Sequence, residues 1–289
     1  MNIVIVGCGD VGTRCAKILT DAGHQVLGVR RNTAALPQWL VPVEADVLVP
    51  ETLRFLHPDA TNSVTIDVLI YSLAATSFNE QAYRDAYVTG LNNTLNALGG
   101  RSLKRCFYLS STGVYHQNNG EWIDENCATL PTRFNGQLVL QGEQLVRARS
   151  DGTCVRYSGI YGPGRLRMIN RVAAGQATPA NPEVFTNRIH IEDCAGALAH
   201  LVRLAETDRL EAVYLASDSL PATSADVEAF IAQRLGLTFD KTRPVPGGKR
   251  IAGSKRCSNR RLLDTGYQFK YPDFRAGYRQ VIEDMRTHN

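Results

Sequence analysis

The sequence predicts an α/β fold, a doubly wound parallel sheet covered by helices and followed by a smaller C-terminal lobe. Two features predict it. In the first half of the chain, short runs of β-branched residues alternate with stretches of helical periodicity, which is typical of parallel strands joined by crossover helices. A glycine-rich loop also follows the first of these runs and opens the first helix. The 289 residues suffice for one large α/β unit with a small additional lobe.

Each predicted strand is a short apolar run bounded by turn residues, and each predicted helix has apolar residues recurring on one face. In the first helix these are Val11, Cys15, Ile18 and Leu19. Strands are expected at 2–6, 25–29, 41–44, 67–72, 106–110, 153–157, 188–191 and 213–216. Helices are expected at 11–22, 81–98, 135–149, 167–175, 193–205, 225–235 and 274–285. We expect a first domain at 1–163 and a smaller lobe at 164–289, interleaved with the end of the sheet.

The loop after the first strand reads Gly7-Cys8-Gly9-Asp10-Val11-Gly12. Glycines with this spacing, between a strand and a helix, are typical of a Rossmann-type dinucleotide-binding fold. They allow a tight turn, a close approach of the pyrophosphate and close packing of the helix on the strand, and the helix N-terminus offers unpaired N–H groups to the phosphates. We therefore predict cofactor contacts at Gly7, Gly9, Asp10, Val11 and Gly12. The alternative is a glycine-rich turn that binds nothing.

The end of the second strand predicts which dinucleotide binds. Proteins that use NAD place Asp or Glu there to accept hydrogen bonds from the adenosine ribose, whereas this sequence has Arg30 and Arg31. A guanidinium group matches a 2′-phosphate with two hydrogen bonds and cannot accept one from a hydroxyl. We therefore predict NADP in preference to NAD, with one of the two arginines on the 2′-phosphate. The alternative is a solvated arginine pair on a surface loop.

Further motifs follow the glycine loop in order. They are Asp46-Val47, Ser72-Leu73-Ala74-Ala75, Tyr87-Val88-Thr89-Gly90, Ser110-Ser111-Thr112-Gly113-Val114-Tyr115, Asp124-Glu125, Arg156-Tyr157-Ser158-Gly159-Ile160-Tyr161-Gly162-Pro163-Gly164 and Arg188-Ile189-His190-Ile191-Glu192-Asp193. With the glycine loop, these blocks resemble the NAD-dependent epimerase/dehydratase superfamily, a branch of the extended or atypical short-chain dehydrogenases/reductases. The resemblance covers most of the chain. It implies further cofactor contacts at Asp46, Val47, Leu73, Ala74, Ala75, Ser110, Gly159 and Ile160.

The resemblance also implies a catalytic Ser or Thr four residues before a tyrosine, which here gives Ser111 and Tyr115. Family enzymes carry the proton on a Tyr-x-x-x-Lys pair, in which the lysine lowers the pKa of the tyrosine. Alignment on Glu143 places Asn135 at the tyrosine position and Val139 at the lysine position, and neither exchanges a proton near neutral pH. We therefore predict Ser111, Tyr115 and Asn135 as the catalytic residues. Tyr157, Tyr161, Glu121 and His190 are further candidate proton donors.

Composition excludes several classes of function. The net charge of +4, without a basic stripe interleaved with aromatics, is too small to indicate a nucleic-acid partner. No apolar stretch is long enough for a membrane span, and the N-terminus has no signal-peptide pattern, so we expect no membrane partner and a cytoplasmic location. Seven scattered cysteines form no CxxC pair, and we expect them to be mostly buried thiols and expect no metal site.

Two functions remain. The first is an NADP-dependent oxidoreductase of epimerase/dehydratase type, acting on a small substrate such as a sugar or nucleotide sugar with a non-standard proton donor. The alternative is a non-catalytic NADP(H)-binding redox sensor. The C-terminal lobe would bind the substrate, and its basic run at 249–261 would suit an anionic one, although a charge run is also typical of a solvated face. The protein is expected as a monomer or as a homodimer formed through the helices at 81–98 and 135–149.

Overall fold

A computed structural model of the protein describes residues 1–149, 151–176, 178, 182–207, 210–238 and 253–287. The chain divides into two compact units, each built from several segments. The first unit comprises Met1–Tyr115, Thr129–Arg156 and Ala195–Tyr214. The second comprises His116–Ala128, Tyr157–Cys194 and Leu215–Asn289. The predicted domain division after residue 163 stays a prediction.

The strands are short, and most of the longer ones form a single sheet. In chain order they are β1 (Asn2–Val6), β2 (Gln25–Arg30), β3 (Val41–Glu44), β4 (Val68–Tyr71), β5 (Arg105–Ser111), β6 (Glu121–Ile123), β7 (Gly152–Tyr157), β8 (Gly159–Tyr161), β9 (Phe185–Thr186), β10 (Arg188–His190), β11 (Val213–Ala216), β12 (Ala222–Thr223) and β13 (Lys255–Cys257). A seven-stranded parallel sheet has the order β11-β7-β5-β4-β1-β2-β3. The predicted doubly wound sheet is therefore confirmed. Its order reverses between β1 and β4, and ligands of such sheets bind at this point, outside the carboxyl ends of the strands.

The helices are α1 (Asp10–Asp21), α2 (Glu80–Arg84), α3 (Gly90–Ala97), α4 (Phe134–Arg147), α5 (Arg167–Ala173), α6 (Ile191–Leu204), α7 (Ser224–Leu235), α8 (Arg260–Asp264) and α9 (Phe274–Thr287). The single helix predicted at 81–98 consists of α2 and α3, joined by a π-helical turn at Asp85–Thr89. None of the helices in the described ranges is long and apolar enough to span a membrane.

Each unit has its own apolar core. In the first, the central strands β1, β4 and β7 are almost wholly buried, whereas the edge strand β3 is largely exposed. Helix α1 buries one face through Val11, Cys15 and Leu19, as its periodicity predicts. In the second, α5, α7 and α9 pack around a cluster that includes Val227 and Ile231. Six of the seven cysteines are buried and Cys127 is partly exposed, which confirms the prediction of mostly buried thiols.

Sequence periodicity does not reveal the smallest pairings. Strand β13 pairs with β6 in parallel, Arg256 opposite Trp122, across more than a hundred residues of sequence. Strand β12 pairs with β9 over two residues. Such short segments contain too few repeats of the two-residue strand pattern to be recognised, so their pairing depends on tertiary contacts.

Candidate functional site

The glycine loop is fixed between the ends of three neighbouring strands. Gly7 and Cys8 both donate their backbone N–H to the carbonyl oxygen of Val29, at 3.1 Å. Gly7 has a φ of +82°, and a Cβ atom there would lie 2.7 Å from the backbone nitrogen of Leu73. Glycine is therefore required at this turn on two grounds, its left-handed backbone and its close contact with the chain after β4.

The loop leaves the N-terminus of α1 accessible to an anion. Gly9 is the N-cap of the helix, and no side chain caps it. A Cβ atom at Gly9 would have the carbonyl oxygen of Gly7, 3.9 Å away, as its nearest neighbour, so space remains above the helix. At Gly12, by contrast, a Cβ atom would lie 3.0 Å from Ser72 Oγ and 3.1 Å from Ile5. This open cradle at a helix N-terminus fits a pyrophosphate group.

Arginines lie beside this cradle. Arg30 ends β2 directly after Val29, whose carbonyl holds the glycine loop. Burial raises the pKa of the Cys8 thiol, and the hydrogen bond to Thr13 and the charge of Arg30 partly oppose that rise. Arg31 is largely exposed, with Nη1 4.0 Å from Asp46 Oδ2. The structure thus brings together Arg30, Arg31 and Asp46, which we predicted from separate motifs.

The segment after β4 lies on the other side of the glycine cradle from the arginines. Ser72 Oγ donates a hydrogen bond to the carbonyl oxygen of Gly7 at 2.8 Å, and Leu73 packs against Gly7. Ala74 is exposed and Ala75 partly exposed. Val47, after β3, is buried against α3, and its carbonyl accepts a hydrogen bond from Asn93 Nδ2 at 2.9 Å. Every predicted cofactor contact from the first 75 residues therefore lies at the carboxyl edge of the sheet.

A buried ionic network lies under the end of β5. Glu143 on α4 accepts hydrogen bonds from Ser110 Oγ at 2.5 Å and from Arg156 Nε and Nη2 at 2.8 and 2.7 Å. Arg156 also donates from Nη1 to the Tyr115 hydroxyl at 2.7 Å. Burial alone would lower the pKa of Arg156, but the hydrogen bonds and charge of Glu143 raise it above its usual value. Ser110 and Tyr115, predicted for cofactor binding and catalysis, thus both belong to this internal network.

The other two predicted catalytic residues lie close together. Ser111 Oγ accepts a hydrogen bond from the backbone N–H of Gly113 at 3.0 Å, which leaves its own O–H able to donate. A Cβ atom at Gly136 would lie 2.5 Å from the carbonyl oxygen of Gly113, so the first turn of α4 touches the turn after Ser111. This contact places Asn135 beside the end of β5. Asn135 Oδ1 is buried and accepts no hydrogen bond from the described residues.

The remaining predicted residues belong to the second unit. Gly159 and Ile160 lie on β8, paired with Arg188 and Ile189 of β10. The Tyr157 hydroxyl donates to the carbonyl oxygen of Cys194 at 3.0 Å. The other candidate proton donors also contact protein groups: Tyr161 packs on Tyr278 and His190, and Glu121 accepts from the N–H of Asn119.

The basic run at 249–261 is described only from Gly253 onward. Arg256 Nε donates to the carbonyl oxygen of Gly120 at 2.6 Å, and its guanidinium lies over the rings of Trp122 and Phe185. Arg261 Nε lies 3.7 Å from Glu125 Oε2. These arginines therefore have protein partners. Among the described residues, no three His, Cys, Asp or Glu side chains are grouped so that they could hold a metal ion.

Sequence reasoning missed the role of the Glu143–Arg156 pair. The available signal was Arg156 itself, a charge within the otherwise apolar run of β7. Charged side chains are almost never buried unless paired, so this position already indicated an internal ion pair. Its partner could not be identified from the sequence, because the two residues lie on different elements that meet only in the folded chain.

Comparison with known proteins agrees with this geometry. The sequence profile of the NAD dependent epimerase/dehydratase family matches residues 3–216. A structure from Methylobacillus flagellatus, assigned to the NAD-dependent epimerase/dehydratases, is 38% identical and superposes with a TM-score of 0.83 over 99% of this chain and 98% of its own. A conserved protein of unknown function from Silicibacter pomeroyi DSS is 25% identical, with a TM-score of 0.76 over 98% of both chains.

A third solved structure contains a cofactor. The human epimerase family protein SDR39U1 (isoform 2), determined with NADPH, is 21% identical, with a TM-score of 0.75 over 98% of this chain and 100% of its own. No curated protein sequence matches the chain. The family profile covers most of the sequence, and the predicted resemblance is confirmed. The chain belongs to the NAD-dependent epimerase/dehydratase family, whose members bind NAD(P).

Proposed function

We propose that this protein is an NADP(H)-dependent oxidoreductase of the epimerase/dehydratase type. Its substrate would be a small carbonyl or hydroxyl compound, and the family resemblance favours a sugar or nucleotide sugar. The observation that carries the proposal is the pair Arg30 and Arg31 beside the open cradle of the glycine loop. Guanidinium groups here favour a 2′-phosphate over a ribose hydroxyl. The human relative determined with NADPH is compatible with this choice.

The chain's own groups would bind and orient the reactants. The N–H groups at the start of α1 would hold the pyrophosphate, and Arg30 or Arg31 the 2′-phosphate. The nicotinamide supplies hydride chemistry when bound. Ser111 can donate a hydrogen bond to a substrate oxygen, and Asn135 Oδ1 can accept one from a hydroxyl. Neither side chain exchanges a proton near neutral pH, so they would position the substrate while the proton comes from another donor.

Calorimetric titration with NADP⁺, NADPH, NAD⁺ and NADH tests the cofactor proposal. We expect the phosphorylated pair to bind at micromolar concentrations or below, and to lose at least tenfold in affinity when Arg30→Ala and Arg31→Ala are combined. Arg260→Ala, which removes a well exposed arginine of the second unit, is the matched control and should bind as the wild type does. Equal affinity for NADH and NADPH would refute the arginine clamp, and no binding by any of the four would refute the proposal.

A non-catalytic NADP(H) sensor is the second candidate. Asn135 and Val139 stand at the positions of the family's tyrosine and lysine, and Tyr115 is held by Arg156 inside the first unit. Oxidation of NADPH, followed by absorbance with a panel of aldehydes, sugars and nucleotide sugars, separates the two candidates. Turnover by the wild type that falls in Ser111→Ala supports the enzyme. Turnover that arises only after Asn135→Tyr is combined with Val139→Lys supports the sensor.

A further inference from the structure

A group of aromatic rings lies beside Asn135. The rings of Phe78, Tyr83 and Phe134 contact one another, with centroids 5.2 Å apart for Phe78 and Phe134, 5.5 Å for Tyr83 and Phe134, and 5.7 Å for Phe78 and Tyr83. We call these three residues the aromatic wall. Tyr87 extends it, since its ring centroid is 5.3 Å from that of Tyr83. All four residues belong to the first unit.

One ring of the wall, that of Phe78, is exposed, whereas Tyr83 and Phe134 are half-buried. Phe78 is 70% exposed, an unusual state for a phenylalanine that already contacts two other rings. The turn that carries it is fixed by Asn79, which accepts from the N–H of Ala82 at 2.8 Å and donates from Nδ2 to Ser77 Oγ at 2.8 Å. The ring is therefore presented to solvent by a hydrogen-bonded turn.

The wall adjoins the candidate active site. Phe78 lies in the segment that follows β4, beyond Ala75, and Phe134 is the first residue of α4, next to Asn135. Gly136 in the same turn touches the carbonyl of Gly113 after Ser111. The wall, the buried Asn135 Oδ1 and the Ser111 hydroxyl therefore lie together at the carboxyl edge of the sheet, where ligands of this fold bind.

We infer that the aromatic wall binds a flat, apolar ring of the substrate, so that the substrate class is an aromatic alcohol or its carbonyl counterpart. The inference rests on the proposed function and narrows its small carbonyl or hydroxyl substrate to an aromatic compound, in place of the sugar that the resemblance favours. An aromatic ring would stack on Phe78 and Phe134, which contributes beyond the burial of area alone. A hydroxyl or carbonyl on the ring's substituent would reach Ser111 or Asn135. A polar ring would instead need hydrogen-bonding partners along its edge, and the residues that line the site would have to supply them.

Four polar side chains that flank Tyr83 are paired within their own helical segment. Arg84 donates to Glu80 Oε1 at 2.9 Å, and Gln81 donates to Asp85 Oδ1 at 2.7 Å. A sugar ring carries hydroxyls around its edge, and each buried one needs a partner. These four side chains are thus paired with each other, whereas the ring of Phe78 is exposed to solvent. This contrast favours an aromatic ring over a polyhydroxylated one.

Ligand-observed NMR titration of the full-length protein tests the inference. The probes are benzyl alcohol, cyclohexylmethanol, which keeps the hydroxyl but lacks the flat ring, and D-glucose. The variants are Phe78→Ala, Phe78→Leu and Phe134→Ala, with Trp122→Ala as the control, because Trp122 is an exposed aromatic (58%) of the second unit. Each titration is run with and without saturating NADP⁺, and light scattering gives the oligomeric state.

We expect benzyl alcohol to bind more tightly than cyclohexylmethanol and D-glucose. Its affinity should fall about tenfold in Phe78→Ala and in Phe134→Ala, as expected for the loss of one stacked ring. It should fall less in Phe78→Leu, and Trp122→Ala should bind as the wild type does. Tighter binding of D-glucose, or unchanged benzyl alcohol affinity in both alanine variants, would overturn the inference. The inference would also be overturned if the wild type were a dimer that Phe78→Ala converts to a monomer without loss of benzyl alcohol affinity, because the wall would then be a subunit interface.

The cofactor titration keeps this test separate from that of the proposed function. NADPH binding without Phe78-dependent binding of benzyl alcohol overturns the inference alone. Phe78-dependent binding of benzyl alcohol in a protein that binds no dinucleotide supports the aromatic subsite and overturns the proposed function.

Discussion

Replacing Glu143 by Gln tests the buried network of the first unit most directly. Glu143 is fully buried and accepts three hydrogen bonds, two of them from Arg156, which is 2% exposed. In Glu143→Gln the guanidinium loses its counter-charge, and the new amide NH₂ faces N–H donors. Breaking a buried ion pair on one side costs about 3–5 kcal/mol. We expect a loss of this size in the free energy of unfolding, a large part of the ~5–15 kcal/mol typical of a whole protein.

Urea unfolding at pH 7, followed by far-ultraviolet circular dichroism, measures the loss. The double variant Glu143→Met with Arg156→Met removes both charges and should recover most of it, because matched apolar groups leave no buried charge uncompensated. Asp264→Asn removes one partner of the exposed pair with Arg260 and should change stability by less than about 0.5 kcal/mol. A loss below about 1 kcal/mol in Glu143→Gln, or a double variant as unstable as the single one, would refute the reasoning, since neither fits a buried pair.

Three further predictions concern other parts of the chain. Gly9→Ala should keep the wild-type melting temperature but weaken NADPH binding at least tenfold, because the new Cβ atom would occupy open space where the phosphates would lie. Gly12→Ala should also lower the melting temperature, because its Cβ atom would press on Ser72 and Ile5. Burial raises the pKa of Asp218 from 3.8 to about 8, so the stability that its protonated form contributes is present below pH 4 and is lost as the pH rises towards 8. Urea unfolding between pH 5 and 8 should show the free energy of unfolding falling by up to about 1.4 kcal/mol per pH unit, and Asp218→Asn should remove this dependence. In the native protein at most one thiol, that of Cys127, should react readily with a thiol reagent, since the other six are buried, and rapid labelling of two or more would contradict the packing of both units.

The local sequence pattern was sufficient to predict most of the strands and helices. The predicted bounds of β1, β3 and β11 coincide with the observed strands, and α1 begins one residue earlier than expected, at Asp10. Helix α1 is long enough, and β1 and β11 are apolar enough, for their pattern to specify them. The π-helical turn between α2 and α3 has no such signature. Its hydrogen-bonding pattern differs from that of an α-helix by one residue, which the spacing of apolar residues does not distinguish.

By itself the sequence determined the family, most strands of the sheet and the cradle of Gly7, Gly9 and Gly12, because these depend on motifs and backbone conformations that are local along the chain. Tertiary structure alone decided that Tyr115 is tied to Arg156 and that Asn135 lies beside Ser111. It also assembled the aromatic wall from residues more than fifty positions apart. The physical reason is that side-chain partners across different elements are selected by packing and by the pairing of buried charges, and both depend on which surfaces the folded chain brings into contact.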